Sequence, residues 1–142
     1  MPTRRTQIAE ALVEDIYTKT DVLQGNVQRQ MIFLNEVNDF PFVTFIPREE
    51  IRTHRGDGRK FATLTLSLRA YVYNGDPGGA SIADAETLGK DIEQDVIDSF
   101  AASHRDLEVE EARVTAFRTD EGLFSPYGIA DLELAILYEV TT

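Results

Sequence analysis

The sequence predicts an α+β fold: a mostly antiparallel sheet, two main helices packed on one of its faces, and a protruding β-hairpin. Three observations carry this. Lys60 to Tyr73 alternates strictly, with Ala62, Leu64, Leu66, Leu68, Ala70 and Val72 on one side and Phe61, Thr63, Thr65, Ser67, Arg69, Tyr71 and Tyr73 on the other. That is the period of a long strand with one core face. Two segments, Thr6–Thr18 and Ser81 to about Ser99 or Ala102, repeat apolar residues at helical spacing. The order α-β-β-β-α-β-β places consecutive strands beside each other, which suits an antiparallel sheet.

The elements follow in order. Ile8, Leu12 and Ile16 recur at four-residue steps, flanked by Ala9, Val13 and Tyr17, while Glu10, Glu14 and Asp15 fall opposite. Thr6 is the expected N-cap. Asp21–Asn38 has no single pattern. Gly25-Asn26 marks a turn, and Met31, Ile32, Phe33 and Leu34 suit a short buried strand or a turn. Phe42 to Ile46 is entirely β-branched or aromatic and is bracketed by Pro41 and Pro47, as a strand should be. Glu50 to Arg55 alternates weakly, with Ile51 and Thr53 against Arg52 and His54. Gly56-Asp57-Gly58 then supplies the tight connection. Residues 48–55 and 59–73 therefore form a long hairpin with a basic tip.

Asn74–Ala80 is a loop by composition. Ser81 is the expected N-cap of the second helix, with Asp84 in a variant capping box. Its apolar stripe is Ile82, Ala85, Leu88, Gly89, Ile92, Val96 and Phe100, and Glu86, Asp91, Glu93, Asp95 and Asp98 make its outer face acidic. Leu107–Phe117 is a strand with Leu107, Val109, Val114 and Ala116 inward and a slip near Glu111. Thr119–Gly128 is a loop. Ile129–Val140 closes the chain as a strand with Ala130, Leu132, Leu134, Ile136, Tyr138 and Val140 inward.

A chain of 142 residues is the length of one domain, expected to span 1–142. With no cysteine, disulfides, thiolate metal sites and cysteine catalysis are excluded. An apolar share of 42% is ordinary for a globular chain and argues against disorder. No apolar run approaches the roughly 18 residues of a membrane span, and MPTRRTQIAE lacks the apolar core of a signal peptide. The expectation is a soluble cytosolic or particle-associated protein with no membrane partner. The net charge of −11 argues against wrapping nucleic acid. That charge is uneven. Residues 1–69 hold 10 basic and 9 acidic side chains, and residues 70–142 hold 4 and 16, so the halves carry +1 and −12. Either solvated acidic faces or complementarity between copies of the chain accounts for such a split.

No catalytic constellation emerges. His54 and His104 have no metal-ligand spacing, and both read as structural. Gly56-Asp57-Gly58 lacks the spacing of a phosphate loop. Gly75, Gly78 and Gly79 precede a helix, but Asp76, Asp84 and Glu86 would repel an anion there. Gly-x-Ser-x-Gly is absent. Asp91, Asp95 and Asp98 fall at i, i+4 and i+7, a solvated or partner-facing stripe rather than the compact loop of a calcium site. No catalytic residue, metal site or cofactor is expected. The other cluster is Arg48, Arg52, His54, Arg55, Arg59 and Lys60. Arginine forks at a hairpin tip grip carboxylates or phosphates. Charges on an edge hairpin also prevent sheet-to-sheet aggregation. Both readings stand.

The stretch NEVNDFPFVTFIPREEIRTHRGDGRKFATLTLSLRAYVY, residues 35–73, resembles the tail terminator proteins of long-tailed bacteriophages and the related tail-completion and head–tail joining proteins. The shared features are a Phe-Pro-x-Val-x-x-x-Pro strand at Phe40–Pro47, a charged hairpin, and a long alternating strand ending in Arg-Ala-Tyr-Val at Arg69–Val72. The element order of nearly the whole chain agrees. The resemblance implies a structural virion protein, not an enzyme. It would act as a homo-oligomeric ring, usually a hexamer, that caps the tail tube and offers a surface to the head connector. Its partners would be itself, the tail tube protein and the connector or neck protein, with DNA passing through the channel without specific binding. Its place would be the tail–neck region of the virion, after assembly in the host cytoplasm. The basic cluster and Asp91, Asp95 and Asp98 then become candidate interface residues. A neck or head–tail adaptor is the near alternative, and a small-ligand-binding α+β domain the distant one.

Overall fold

Thr3 sets the start of the first helix. Its hydroxyl oxygen accepts the Thr6 N–H at 3.3 Å, so α1 runs from Arg4 to Lys19. Thr6, the expected cap, lies inside the first turn because Thr3 already serves its amide. The fold is described from a computed structural model, which covers residues 3–75, 81–120 and 126–140. The stripe of α1 is buried at Ile8, Ala9, Leu12 and Ile16, but Tyr17, expected beside it, is 41% exposed, and Asp15, expected on the outer side, is buried.

The unpatterned segment contains a two-residue strand, β1 (Val27–Gln28), parallel to the next strand through Val27↔Val43 and Gln28↔Thr44. No buried strand forms at Met31–Leu34. Met31 and Phe33 are exposed, and the chain enters a 3-10 turn at Leu34–Glu36. It is held down by the Tyr71 hydroxyl, which donates to the Ile32 carbonyl at 2.6 Å.

Phe42–Ile46 and the outer arm of the hairpin are one strand, β2 (Phe42–His54), rather than two. A register shift between Pro47 and Glu49 joins them, at a proline that has no N–H to offer the ladder. The shift inverts side-chain parity. Before it, Val43 and Phe45 stand opposite Ala70 and Leu68; after it, Glu50 and Arg52 stand opposite Leu64 and Ala62. Glu50 thus turns toward the core side and Ile51 toward the open face, where it is 57% exposed.

The long strand β3 (Lys60–Tyr73) buries Ala62, Leu64, Leu66, Leu68, Ala70 and Val72 as its alternation predicts. It is flanked along its whole length by β5 (Tyr127–Glu139), from Phe61↔Glu139 to Tyr73↔Tyr127. The part of the hairpin that stands clear is therefore its tip, and every residue from Ile51 to Lys60 is exposed.

The second helical segment is one rod in three pieces. α2 (Ser81–Asp91) leads, a π-helical stretch covers Ile92–Ile97, and α3 (Phe100–Ser103) ends it. Ser81 is itself the first helical residue. The expected stripe is buried at Ala85, Leu88, Gly89, Ile92, Val96 and Phe100, with Ile97, expected adjacent to it, also buried and Ile82 half-buried. The strand β4 (Val109–Thr119) follows. Leu107 lies before it in a 3-10 turn. Two register shifts occur in β4, at Val109/Glu111 and Val114/Ala116. The first is the expected slip. The second pairs Ala116 with Glu133 and Phe117 with Leu132, so Phe117 takes the helix-facing side against Gly89 of α2 while staying 38% exposed. A Cβ on Gly89 would lie 2.5 Å from the Phe117 ring.

The sheet order is β1-β2-β3-β5-β4, antiparallel except at β1–β2. This is the expected α+β class. One continuous core joins α1, the second helical rod and the inward face of the sheet. The other face carries Thr63, Thr65 and Ser67 beside Leu137, Ala135 and Glu133. Most of the expected loops at 74–80 and 119–128 lies outside the described residues.

Candidate functional site

The hairpin tip is built by backbone hydrogen bonds. The Gly58 N–H donates to the Arg55 carbonyl at 3.1 Å, and the Arg55 N–H donates to the Arg59 carbonyl at 2.9 Å. Gly58 sits at φ +85°, a conformation that glycine adopts without cost. The Asp57 carboxylate accepts the Arg59 N–H at 3.0 Å. The tip is a defined turn that presents its side chains outward.

The six basic candidates divide into two groups. Arg59 donates from Nε and Nη2 to both carboxylate oxygens of Glu139, each at 3.0 Å. This fork raises the pKa of Arg59 and lowers that of Glu139. Arg52 donates to Glu50 at 3.0 Å. These two arginines hold their own sheet. Arg48 donates to the Ser67 hydroxyl at 3.1 Å, a neutral partner. Arg55 lies over the Phe61 ring at 4.0 Å. Arg55, Lys60 and His54 have no carboxylate partner in an ion pair among the described residues.

Glu50 was not a candidate from its sequence position. The shift at Pro47 carries it under the hairpin, where its side chain is 8% exposed. There the Tyr138 hydroxyl donates to it. Burial pushes the Glu50 carboxyl up, but the Tyr138 donor and the Arg52 guanidinium outweigh burial and hold it below its ordinary value. Tyr138 is raised, by burial first and then by the bond to Glu50.

The three helical candidates also part company. Asp91, Asp95 and Asp98 are all exposed. The π-helical stretch between the first and the last breaks the i, i+4, i+7 stripe, because its wider turn rotates Asp98 off the line. Asp91 alone faces a cleft of about 280 Å³, together with Asp21, Asp84, Phe40, Tyr73 and Leu88. The rings of Phe40, Tyr73 and Tyr127 gather at this end of the sheet, with centroids 5.2 Å to 6.1 Å apart. Asp21 and Phe40 come from the flanks of the segment that showed no pattern, so only the structure unites them with α2. Cleft and tip lie at opposite ends of the 14-residue β3, at about 3.3 Å per residue roughly 40 Å apart. The basic and acidic clusters do not meet within one chain.

His104 serves the interior. Its Nε2 lies 2.7 Å from Oδ2 of the buried Asp15, and its ring packs 4.5 Å from that of Phe100. This pins α1 to the end of the second helical rod. Among the described residues, no group of three or more His, Asp or Glu side chains is placed to hold a metal ion, and no helix is long and apolar enough to cross a membrane.

A family model described as Bacteriophage Tail Tube Terminator Protein matches residues 2–142. The tail tube terminator protein p142 of Escherichia phage T5 is 28% identical over 153 aligned positions, spanning 95% of this chain and 93% of that protein. Among solved structures, a chain from the virion of a native gene transfer agent particle has the same fold, with a TM-score of 0.59 at 10% identity. The match covers 93% of this chain and 97% of that one. The chain belongs to the family of bacteriophage tail tube terminator proteins.

Proposed function

We propose that this chain ends a phage tail as one subunit of a homo-oligomeric ring, hexameric by resemblance, seated on the last layer of the tail tube and offering its outer surface to the head connector. The role is structural, in the virion at the tail–neck junction, and needs no catalytic group. DNA passes the ring without specific contacts, in keeping with a net charge of −11. One observation carries the reading beyond the family role. Among the described residues, tip cations in no ion pair (Arg55, Lys60) and cleft carboxylates in no ion pair (Asp21, Asp84, Asp91) sit at opposite ends of one sheet. That is the arrangement a head-to-tail contact between copies requires.

The test mixes purified protein with tail tubes, followed by native mass spectrometry and electron microscopy. Rings at tube ends, and connector binding to capped but not bare tubes, are expected. Protein that stays monomeric with tubes present overturns the ring. Binding to connectors but not to tubes makes it a neck adaptor instead.

A further inference from the structure

We propose that the cleft between Phe40, Tyr73 and the carboxylates of Asp21, Asp84 and Asp91 receives a cationic side chain, and that its occupant is the hairpin tip of a second copy of this chain, led by Arg55 with Lys60 beside it. The proposal rests on the ring reading above and names the contact that builds the ring.

The cleft has the chemistry of a guanidinium receptor. Its volume, about 280 Å³, falls at the lower edge of what small-molecule sites offer and suits a side chain or two. Tyr73, 52% exposed, and Phe40 supply ring faces. Three carboxylates stand around them. Cation–π attraction and charge-assisted hydrogen bonds act together on a planar cation in such a setting. The carboxylates form no cluster able to grip a metal ion among the described residues. Asp84 accepts an amide N–H of Asn74 at 2.9 Å, which orients it without neutralising it. No ion pair among the described residues engages Asp21, Asp84 or Asp91.

The matching group is on the same molecule, out of its own reach. Arg55 already lies over one aromatic ring, Phe61, at 4.0 Å, and Lys60 is exposed beside it. The neighbouring Arg59 is committed to Glu139 and so does not compete. With the length of β3 between tip and cleft, about 40 Å, only another copy can bring the two together. The two patches differ, so the contact is heterologous. After one contact the pair still offers one free tip and one free cleft, so the contact repeats, and it closes a ring when the rotation between copies divides a full turn.

The sequence has no cysteine, which permits a clean test. The double variant Gly56→Cys/Thr87→Cys, with one thiol at the exposed tip and one on the cleft wall, leaves Arg55 and the three carboxylates in place and is oxidised mildly in the presence of tail tubes. Its two thiols are too far apart to join within a chain. A disulfide ladder rising to the full ring is expected, and neither single variant should pass beyond a dimer. In parallel, Arg55→Glu/Lys60→Glu and Asp21→Lys/Asp91→Lys should each raise the concentration needed for assembly at least about tenfold. All four changes together should restore it. Circular dichroism confirms that each variant is folded. Rings that form without a ladder, or a tip variant that assembles at the wild-type concentration, overturn the contact and leave the ring reading standing. Wild-type protein that stays monomeric with tubes present overturns both.

Discussion

Replacing Tyr138 by Phe removes one hydroxyl and leaves the buried ring in place. That hydroxyl donates to Glu50, whose side chain is 8% exposed. Without it, the carboxylate keeps Arg52, whose own side chain is 55% exposed and therefore well screened by water. A hydrogen bond to an ionised group contributes about 1.5–3 kcal/mol. The expected loss is about 2 kcal/mol, or roughly 4–8 °C in Tm for a chain of this size. The pH dependence has a definite sign. Glu50 is held below its ordinary value of 4.5 when folded, so it contributes stability above that value and loses it as pH falls through the folded pKa. Tyr138→Phe removes a lowering influence while burial stays, so the folded pKa rises toward the unfolded one. The gap between wild type and variant should be full at pH 7 and shrink below about pH 4.5. Urea unfolding of wild type, Tyr138→Phe, Glu50→Gln and the double variant, at neutral and acid pH, measures it. A loss under about 0.5 kcal/mol, an equal gap at both pH values, or additive single effects would refute the reasoning.

Gly128→Ala should destabilise by about 1–3 kcal/mol in the same assay, because the new Cβ would lie 2.2 Å from the Ser81 carbonyl oxygen and backbone must move. Leu66→Ala and Leu134→Ala, both fully buried and directly paired across β3 and β5, should each cost about 2–5 kcal/mol and combine non-additively. Arg59→Glu places a carboxylate against Glu139 and should lower Tm more than Arg55→Glu, which breaks no ion pair. Equal melting shifts would show that the Arg59 fork contributes nothing to the fold. Ring assembly on tubes should weaken as salt rises, since the contact pairs exposed charges, and an assembly threshold that ignores salt argues for an apolar interface.

The elements that bury a face were legible in the sequence, and those that do not were not. β3 and β5 were read to within about two residues because alternate aliphatic positions have one physical solution, a half-buried strand. The 21–38 segment failed because its structure comes from distant partners: Tyr71 binding Ile32, and β1 leaning on Val43 and Thr44. Neither leaves a local pattern. The bulges are the other blind spot. Pro47 reads locally as a strand end, yet the chain continues through it with parity inverted. The same event moved Glu50 inward and made Ile51 an exposed residue. In β4 the slip near Glu111 was visible, but the second shift put Phe117 rather than Ala116 on the helix-facing side, partly exposed, with no signal except a glycine on the facing helix.

Charge behaves differently from apolar pattern, because a count along the chain ignores what is already paired in space. The halves carry +1 and −12, but the division runs through the middle of the sheet. Arg59 binds Glu139, Arg69 binds Asp131 and Arg4 reaches Glu108, each a cation of the first half against an acid of the second. These pairs remove Arg59 from the basic cluster, and Arg52 is removed by Glu50 within its own half. What remains unspent is narrower and more directional. Arg55 and Lys60 stand at one end, and Asp21, Asp84 and Asp91 surround aromatic rings at the other. Reversing the hairpin cations as a block would therefore mix two effects, a loosened sheet and a lost contact. Arg59→Glu and Arg55→Glu compared side by side separate the fold from the assembly.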